Sequence, residues 1–177
     1  MKRSQLAMGA AAALTLGACA SPQQDARYMA GHYRAQADLR TADGADVGKA
    51  AVEEIDGALR VIVDVRGLPP GQHGAHVHMV GKCDAPDFAS AGGHWNPGAH
   101  QHGSMNPMGP HAGDLPNLVV GADGRGHLEF TLTSGSFAGL LDEDGAAIVI
   151  HAKPDDLKTD PSGNSGPRIA CGVLGAV

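Results

Sequence analysis

Aromatic side chains are scarce in this sequence, whereas turn-forming residues are abundant. Phe, Trp and Tyr make up only 3% of the 177 residues, against 26 glycines and 11 prolines. A chain of this length usually forms one domain around one hydrophobic core. Frequent glycine and proline argue against long helices and favour short strands joined by turns. The composition therefore predicts one all-β domain.

An excess of positive charge is also absent. The formal net charge is −6, and it becomes −8 once Lys2 and Arg3 leave with an N-terminal signal segment. Domains that bind nucleic acids carry basic patches that neutralise phosphates. The acidic balance of this chain gives no support to a nucleic-acid partner.

The N-terminal apolar run is too short to span a membrane comfortably, which takes about 20 residues. It extends from Leu6 to Leu16 after the charged pair Lys2-Arg3, as in a secretory signal peptide, here residues 1–18. The following Leu16-Gly17-Ala18-Cys19 resembles the lipobox of bacterial lipoproteins, which implies a lipid on Cys19. By the same resemblance, Ala20 implies sorting to the outer membrane. The expected location is the periplasmic side of the cell envelope.

Cysteine is rare as well, with three residues in the whole chain. Once Cys19 is assigned to the lipid, Cys83 and Cys171 remain. An exported protein lies in an oxidising compartment, where a pair of cysteines can form a disulfide that persists. We therefore predict one disulfide between them.

Short apolar or alternating stretches are separated by Asp-Gly pairs at 43–44, 56–57, 123–124 and 144–145, which mark turns between strands. The strands predicted from this pattern cover residues 33–40, 46–54, 59–66, 73–80, 117–121, 126–132, 146–152 and 169–174. Between them lie two long segments, 81–116 and 153–168, of the kind that usually carries function. We predict a Greek-key β-sandwich or flattened eight-stranded barrel over residues 33–177, joined to the lipid by a tether over residues 19–32.

Histidines are concentrated in one part of the chain. Eight of the ten lie between residues 76 and 151. His76 and His78 share a predicted strand, whose period of two places both imidazoles on one face. Imidazoles without thiolates suit copper, zinc, iron or nickel, and three imidazoles with a carboxylate suit tetrahedral zinc. The inventory therefore predicts two metal sites.

Four motifs resemble, in their order, those of the copper/zinc superoxide dismutase family in its bacterial exported form. They are His76-Val77-His78, the segment Gly92-Gly93-His94-Trp95-Asn96-Pro97, the segment His111-Ala112-Gly113-Asp114-Leu115, and residues 163–173. The resemblance covers about residues 33–175. It implies the β-sandwich fold and one copper and one zinc ion per chain.

The same resemblance implies a role for each site residue. The copper ligands would be His76, His78, His94 and His151, and the zinc ligands His94, His102, His111 and Asp114. Asp155 would accept hydrogen bonds from His76 and His102. Two alternatives stay open: His100 competes with His102 for zinc, and Met105 and Met108 are thioethers that could assist copper loading. His73 is expected to be structural.

The activity implied is disproportionation of superoxide to oxygen and hydrogen peroxide, in antioxidant defence. Catalytic roles fall to His94, which would bridge the metals and deliver a proton, and to Arg168, which would attract the anion. Lys153 and Lys158 would add to the positive field, whereas Asp155, Asp156 and Asp160 oppose it. A copper-binding protein without turnover and a non-catalytic surface module are the alternative functions, and a homodimer is an open option.

Overall fold

The computed structural model describes residues 34–177, so the predicted signal peptide, Cys19 and the tether lie outside the described residues. The described part consists of β-strands, one 3₁₀ turn at Ala89–Ala91 and one short helix, α1, at Phe137–Leu140. The strands are β1 (Arg34–Arg40), β2 (Asp46–Ile55), β3 (Ala58–Val65), β4 (Gly71–His73), β5 (Ala75–His78), β6 (Leu118–Val120), β7 (Gly126–Thr131), β8 (Ala147–His151), β9 (Arg168–Val173) and β10 (Gly175–Ala176). No helix within residues 34–177 is long and apolar enough to cross a membrane.

All strand pairs are antiparallel and form one sheet in the order β4-β6-β7-β3-β2-β1-β9-β8-β5, with β10 paired to β1. The two ends of this order, β4 and β5, are joined in the chain through Gly74 alone. The sheet therefore curves until its ends meet, which makes a nearly closed barrel. The predicted all-β class is confirmed.

Within residues 34–177 the structure has ten strands where eight were predicted, for two reasons. The predicted strand 73–80 is broken at Gly74, because the chain changes partner there from β6 to β8. A Cβ on Gly74 would lie 2.6 Å from Oγ of Ser165, so only glycine fits at this crossing. The second addition, β10, lies at the C-terminal end, where Val177 donates its backbone N–H to the carbonyl of Arg34 at 3.0 Å.

The barrel interior is filled by the inward faces of alternating strands. In β1 the inward residues are Ala35, Ala37 and Leu39, and in β3 they include Val61 and Val63, all at most 4% exposed. Burying a valine or leucine side chain stabilises the fold by about 1.5–3 kcal/mol. β8 is buried on both faces, since the long loops cover its outer side.

Turn chemistry sets the register of the hairpins. Between β2 and β3, Asp56 and Gly57 both adopt positive φ, 52° and 80°, as a two-residue type I′ turn requires. The register that follows pairs Ile55 with Ala58 and continues to Gly48 opposite Val65. The predicted Asp-Gly turn is confirmed here.

The disulfide between Cys83 and Cys171 is confirmed. It joins the long loop after β5 to strand β9, across 88 residues of sequence. In the chain-entropy account, closing a loop of this length stabilises the fold by about 4–5 kcal/mol. The loop that carries several of the predicted site residues is thereby fixed to the barrel wall.

Candidate metal centre

Strand β5 and the long loop that follows it are locked together by backbone hydrogen bonds. Val77 donates its N–H to Gly113, and its carbonyl accepts from Trp95, at 2.9 and 2.8 Å. Isolated antiparallel bridges also pair His78 with His94 and His76 with Asp114. The loop residues 94 and 114 therefore lie beside the strand that carries His76 and His78.

One group of imidazoles lies on the copper side predicted from the sequence. His76 and His78 come from β5, His94 from the loop and His151 from the end of β8, and one ring nitrogen from each lies within 4.8 Å of the others. These nitrogens are Nδ1 of His76 and Nε2 of His78, His94 and His151. All four are buried and have no hydrogen-bond partner within the described residues. Buried polar atoms are normally paired, so four unpaired nitrogens that converge form a donor set for a cation.

The second nitrogen of each ring explains why the first is free. Nδ1 of His78 donates to the carbonyl of Gly92 at 2.9 Å, and Nδ1 of His151 donates to that of Gly166 at 3.0 Å. A neutral imidazole has one N–H, so its opposite nitrogen keeps a lone pair. Burial lowers the pKa of His151 to about 4 and that of His78 well below its usual value. Both rings are thus neutral at pH 7, as metal ligands must be.

A second group lies on the predicted zinc side. Oδ1 of Asp114 is 2.8, 3.0 and 3.2 Å from Nδ1 of His94, His102 and His111, respectively. Nδ1 of His94 and His111 are 3.3 Å apart. Four ligands at about 2.0 Å from a tetrahedral zinc would be about 3.3 Å from one another. The spacing of these four atoms therefore suits zinc.

Hydrogen bonds set the ionisation state of this second group. Burial alone would lower the pKa of His102, but hydrogen bonds to Asp114 and Asp155 raise it to about 9. Burial would raise the pKa of Asp114, yet the hydrogen bonds from His102 and His94 hold it well below its usual range. The other carboxylate oxygen, Oδ2, accepts the backbone N–H groups of Gly103 and His111 at 2.8 and 3.0 Å. The carboxylate is thus ionised and oriented.

Asp155 connects the two groups. Its fully buried carboxylate accepts from Nε2 of His76 at 2.6 Å and from Nε2 of His102 at 3.0 Å. The two bonds place an N–H on Nε2 of each ring, so that Nδ1 of His76 faces the copper group and Nδ1 of His102 faces Asp114. Burial lowers the pKa of His76 to about 3 despite the hydrogen bond to Asp155.

Asn117 also supports Asp155 and was not predicted. Its side chain accepts the backbone N–H of Asp155 at 2.7 Å and donates to the carbonyl of the same residue at 2.9 Å. Gly163 is required nearby, since a Cβ there would lie 1.8 Å from Oδ1 of Asp155. No local pattern marks Asn117, because its partner lies 38 residues away in sequence.

Arg168 borders the same site. Nη1 donates to the carbonyl of Phe88 at 2.6 Å and Nη2 to that of Gly92 at 2.7 Å, so the loop tied by the disulfide holds the guanidinium. Arg168 lines a cavity of about 910 Å³ together with His78, His94 and His151. The predicted cation therefore faces the predicted copper ligands.

The structure also shows where the alternative ligands and the histidine expected to be structural lie. His102 is fully buried in the second group, whereas His100 is exposed and its Nδ1 donates to Pro110 at 3.0 Å. Met105 and Met108 are 66% and 64% exposed and do not line the cavity. His73 is structural, since carbonyl oxygens of His151 and Pro69 lie 2.8 Å from its ring nitrogens.

The predicted contributions of the other charged residues are only partly matched. Lys153 and Lys158 do not line the cavity, although the stem of Lys153 packs near Gly166 in its wall. Asp160 accepts the backbone N–H of His102 at 2.7 Å, and Asp156 accepts from Asn164 at 2.9 Å. Both aspartates are therefore occupied in holding loops.

A nearly closed antiparallel barrel that bears two adjoining histidine-rich donor sets, with His94 in both, defines a binuclear metalloprotein. The family model described as copper/zinc superoxide dismutase matches residues 47–174, and the chain belongs to this family. It is accordingly an oxidoreductase that uses copper and zinc, and the family supports superoxide disproportionation as its activity.

Named relatives agree with this assignment. The chain is 42% identical over 152 residues to superoxide dismutase [Cu-Zn] 1 of Aquifex aeolicus, covering 82% of this chain and 90% of that protein. It is 48% identical over 139 residues to the superoxide dismutase-like protein YojM of Bacillus subtilis, covering 75% and 71%. The solved Cu/Zn superoxide dismutase of Brucella abortus superposes with a TM-score of 0.66 at 30% identity, covering 80% of this chain and 99% of that one.

Proposed function

We propose that this chain disproportionates superoxide at a copper ion that shares an imidazole ligand with a zinc ion. Copper would be held by Nδ1 of His76 and Nε2 of His78, His94 and His151, and zinc by Nδ1 of His94, His102 and His111 with Oδ1 of Asp114. The carrying observation is the convergence of four buried, unpaired nitrogens, each in a ring whose other nitrogen already has a partner. Each chain would hold one ion of each metal.

The reaction converts two superoxide ions and two protons into oxygen and hydrogen peroxide. Bound copper supplies an acceptor and donor of single electrons, and bound zinc supplies a redox-inert cation. The chain itself supplies two protein groups to this chemistry. Arg168 provides a positive charge at the cavity, and His94 provides an atom that can hold a proton.

His94 is the natural proton carrier because of its position between the groups. Its Nδ1 lies 2.8 Å from Asp114 in the zinc group, while its Nε2 is buried and unpaired on the copper side. An imidazole whose two nitrogens are both ligands has lost its proton. Nε2 of His94 is therefore the atom that would take up a proton and hold it at the cavity for the peroxide product.

We further propose that the protein acts in the cell envelope, attached through a lipid on Cys19. The signal-like N-terminus, the lipobox resemblance and the disulfide between Cys83 and Cys171 all favour an exported protein. Superoxide generated outside the cytoplasm would be the substrate. A homodimer stays a prediction that light scattering of the purified protein can test.

The test of this function is metal content together with superoxide removal by the purified, metal-loaded protein. We expect about one copper and one zinc per chain and activity that cyanide blocks. His151→Ala should lose copper and activity, and Asp114→Ala should lose zinc. The matched control is His127→Ala, because His127 is an exposed histidine paired with Asp64 at 2.7 Å and belongs to neither group.

The outcomes separate the candidate functions. Full copper content and full activity in His151→Ala would contradict the ligand assignment. Two bound metals without superoxide removal in the wild-type chain would instead favour the copper-binding alternative.

A further inference from the structure

The cavity in front of the copper group carries more negative than positive charge on its wall. Among the described residues that line it, the charged side chains are Arg168, Asp142 and Asp144. An anionic substrate is therefore repelled by two carboxylates on its way to one guanidinium.

The two aspartates are held at this position by the backbone of the segment between α1 and β8. Oδ1 of Asp142 accepts the N–H groups of Asp144 and Gly145 at 3.1 and 3.2 Å. The carbonyl of Asp144 accepts the N–H of Gly81 at 2.8 Å, which ties the segment to the end of β5. The carboxylate of Asp142 and the backbone of Asp144 are thus held in place at the cavity.

Neither carboxylate is neutralised by a cation. Within residues 34–177, Asp142 and Asp144 take part in no ion pair, and both are exposed. Lys153 lies near the wall at Gly166, but its ammonium does not reach either aspartate within ion-pair distance. Their negative charge therefore attracts cations and repels anions that enter the cavity.

The inner end of the same cavity is a set of buried, unpartnered nitrogens. His78, His94 and His151 line it and are 1%, 7% and 4% exposed, and Nε2 of each has no hydrogen-bond partner in the described part of the chain. A path that begins at two unpaired carboxylates and ends at three buried imidazole nitrogens suits a transition-metal cation such as copper. It suits an anion poorly.

We propose that Asp142 and Asp144 draw copper ions into the cavity during metal loading and, by the same potential, slow the entry of superoxide. This inference rests on the proposed assignment of copper to the four histidines. The two effects are linked, because one potential acts on a charge of +2 for Cu(II) and −1 for superoxide. The logarithms of the two rate changes should therefore have opposite signs and a ratio near two.

The expected magnitude follows from Coulomb attraction. Removing one charge at about 10 Å in water changes the local concentration of a monovalent anion by about 2-fold and that of a divalent cation by about 4-fold. Each Asp→Asn substitution should thus slow Cu(II) entry by about 4-fold and strengthen anion binding by about 2-fold. In the double variant, Cu(II) entry should be slower by about 16-fold and anion binding stronger by about 4-fold.

Trp95 provides a direct readout of copper entry. It is the single tryptophan of the sequence, it lines the cavity, and it follows His94 in the chain. Stopped-flow quenching of its fluorescence by Cu(II), at low ionic strength in zinc-loaded protein, measures loading independently of turnover. Titration of the copper-loaded protein with azide, followed by absorbance, measures anion affinity.

The variants are Asp142→Asn, Asp144→Asn and the double substitution. Asn at position 142 keeps an oxygen that can accept the two backbone N–H groups. Asp144→Glu keeps the charge and should load like the wild type. Asp123→Asn is the matched control for net charge, because Asp123 accepts the N–H of Arg125 in a similar turn but does not line the cavity.

The proposal requires slower copper entry and tighter azide binding in the Asn variants, with both differences lost at high salt. Unchanged loading, loading changed equally in Asp123→Asn, or slower loading without tighter azide binding would each overturn it. The final copper stoichiometry is a separate measurement. A value near one per chain upholds the ligand assignment whatever the loading rates show.

Discussion

Replacing Arg168 by Ala, Lys or Glu is expected to slow superoxide turnover to three different extents. The guanidinium is half-buried and donates to two carbonyls, those of Phe88 and Gly92, at 2.6 and 2.7 Å. The carbonyl of Gly92 also accepts from Nδ1 of His78. Arg168 could therefore act through its charge on the substrate or only by holding the loop, and the substitutions distinguish these roles.

The charge effect can be bounded from Coulomb's law. At about 6 Å, a unit cation and a unit anion attract by about 0.7 kcal/mol in bulk water and about 2.8 kcal/mol at an effective dielectric constant near 20. These energies correspond to about 3-fold and about 100-fold in rate. Because Arg168 is half-buried, we expect an intermediate loss of about 10-fold for Arg168→Ala. Arg168→Glu should lose more, since it places a like charge near the anion.

Arg168→Lys is the informative variant. Lysine keeps the charge, but its ammonium cannot donate to two carbonyls with the planar geometry of a guanidinium. A steering role predicts a rate between those of the wild type and Arg168→Ala. A role confined to loop packing predicts that Lys fails about as badly as Ala.

The assay is the rate of superoxide removal at low and high ionic strength, with copper and zinc measured in each variant. Charges separated by more than a Debye length of about 8–10 Å are largely screened at physiological salt. The rate advantage of the wild type over Arg168→Ala should therefore shrink as salt rises. Equal salt slopes, combined with a lysine variant no better than the alanine variant, would refute steering by Arg168.

Three further predictions concern the surroundings of the metal groups and the N-terminus. Asp155→Asn should lower metal affinity by about 10- to 100-fold, because an amide nitrogen would face an imidazole N–H; unchanged affinities in competition titrations would make Asp155 an ordinary loop residue. The metal-free protein should be most stable near pH 6.5, by urea unfolding. The raised pKa of His102 stabilises the fold most fully below pH 6.5, and this contribution to the free energy of unfolding is lost as pH rises toward 9. As pH falls from 6.5 toward 4, His76 and His151 stay neutral in the folded state but become protonated in the unfolded state. Each of them therefore lowers the free energy of unfolding by about 1.4 kcal/mol per pH unit. Stability that did not change between pH 6.5 and 5 would contradict those two assignments. Cys19→Ala should abolish lipidation and release the protein from the outer membrane, and a wild-type N-terminus beyond Cys19 without acyl mass would count against the lipobox.

Sequence patterns were most informative where side chains follow a strict period. His76 and His78 could be placed on one face because residues two apart in a strand share a face. His100 and His102 also lie two apart, but in a loop, where spacing carries no such information. The structure distinguishes them through contacts distant in sequence, since Asp160 accepts the backbone N–H of His102 across 58 residues.

Other features depended on contacts that no local pattern contains. Asp144 was interpreted only as part of an Asp-Gly turn, because its place at the cavity follows from the hydrogen bond between its carbonyl and Gly81. The break at Gly74 did have a local signal, since a glycine within a strand often marks a bend. The change of partner strand itself depends on pairing with β6 and β8, which lie far along the chain.

The backbone bond between Val177 and Arg34 brings the outermost described residues together, with β10 paired to β1 beside them. Circular permutation succeeds where chain ends are close and new ends are opened at exposed turns. A linker of a few residues could join these two ends, and the Asp56-Gly57 hairpin, which carries none of the proposed metal ligands, offers a place for new ones. The barrel of residues 34–177 could then be displayed from that hairpin, with the order of its strands in space unchanged.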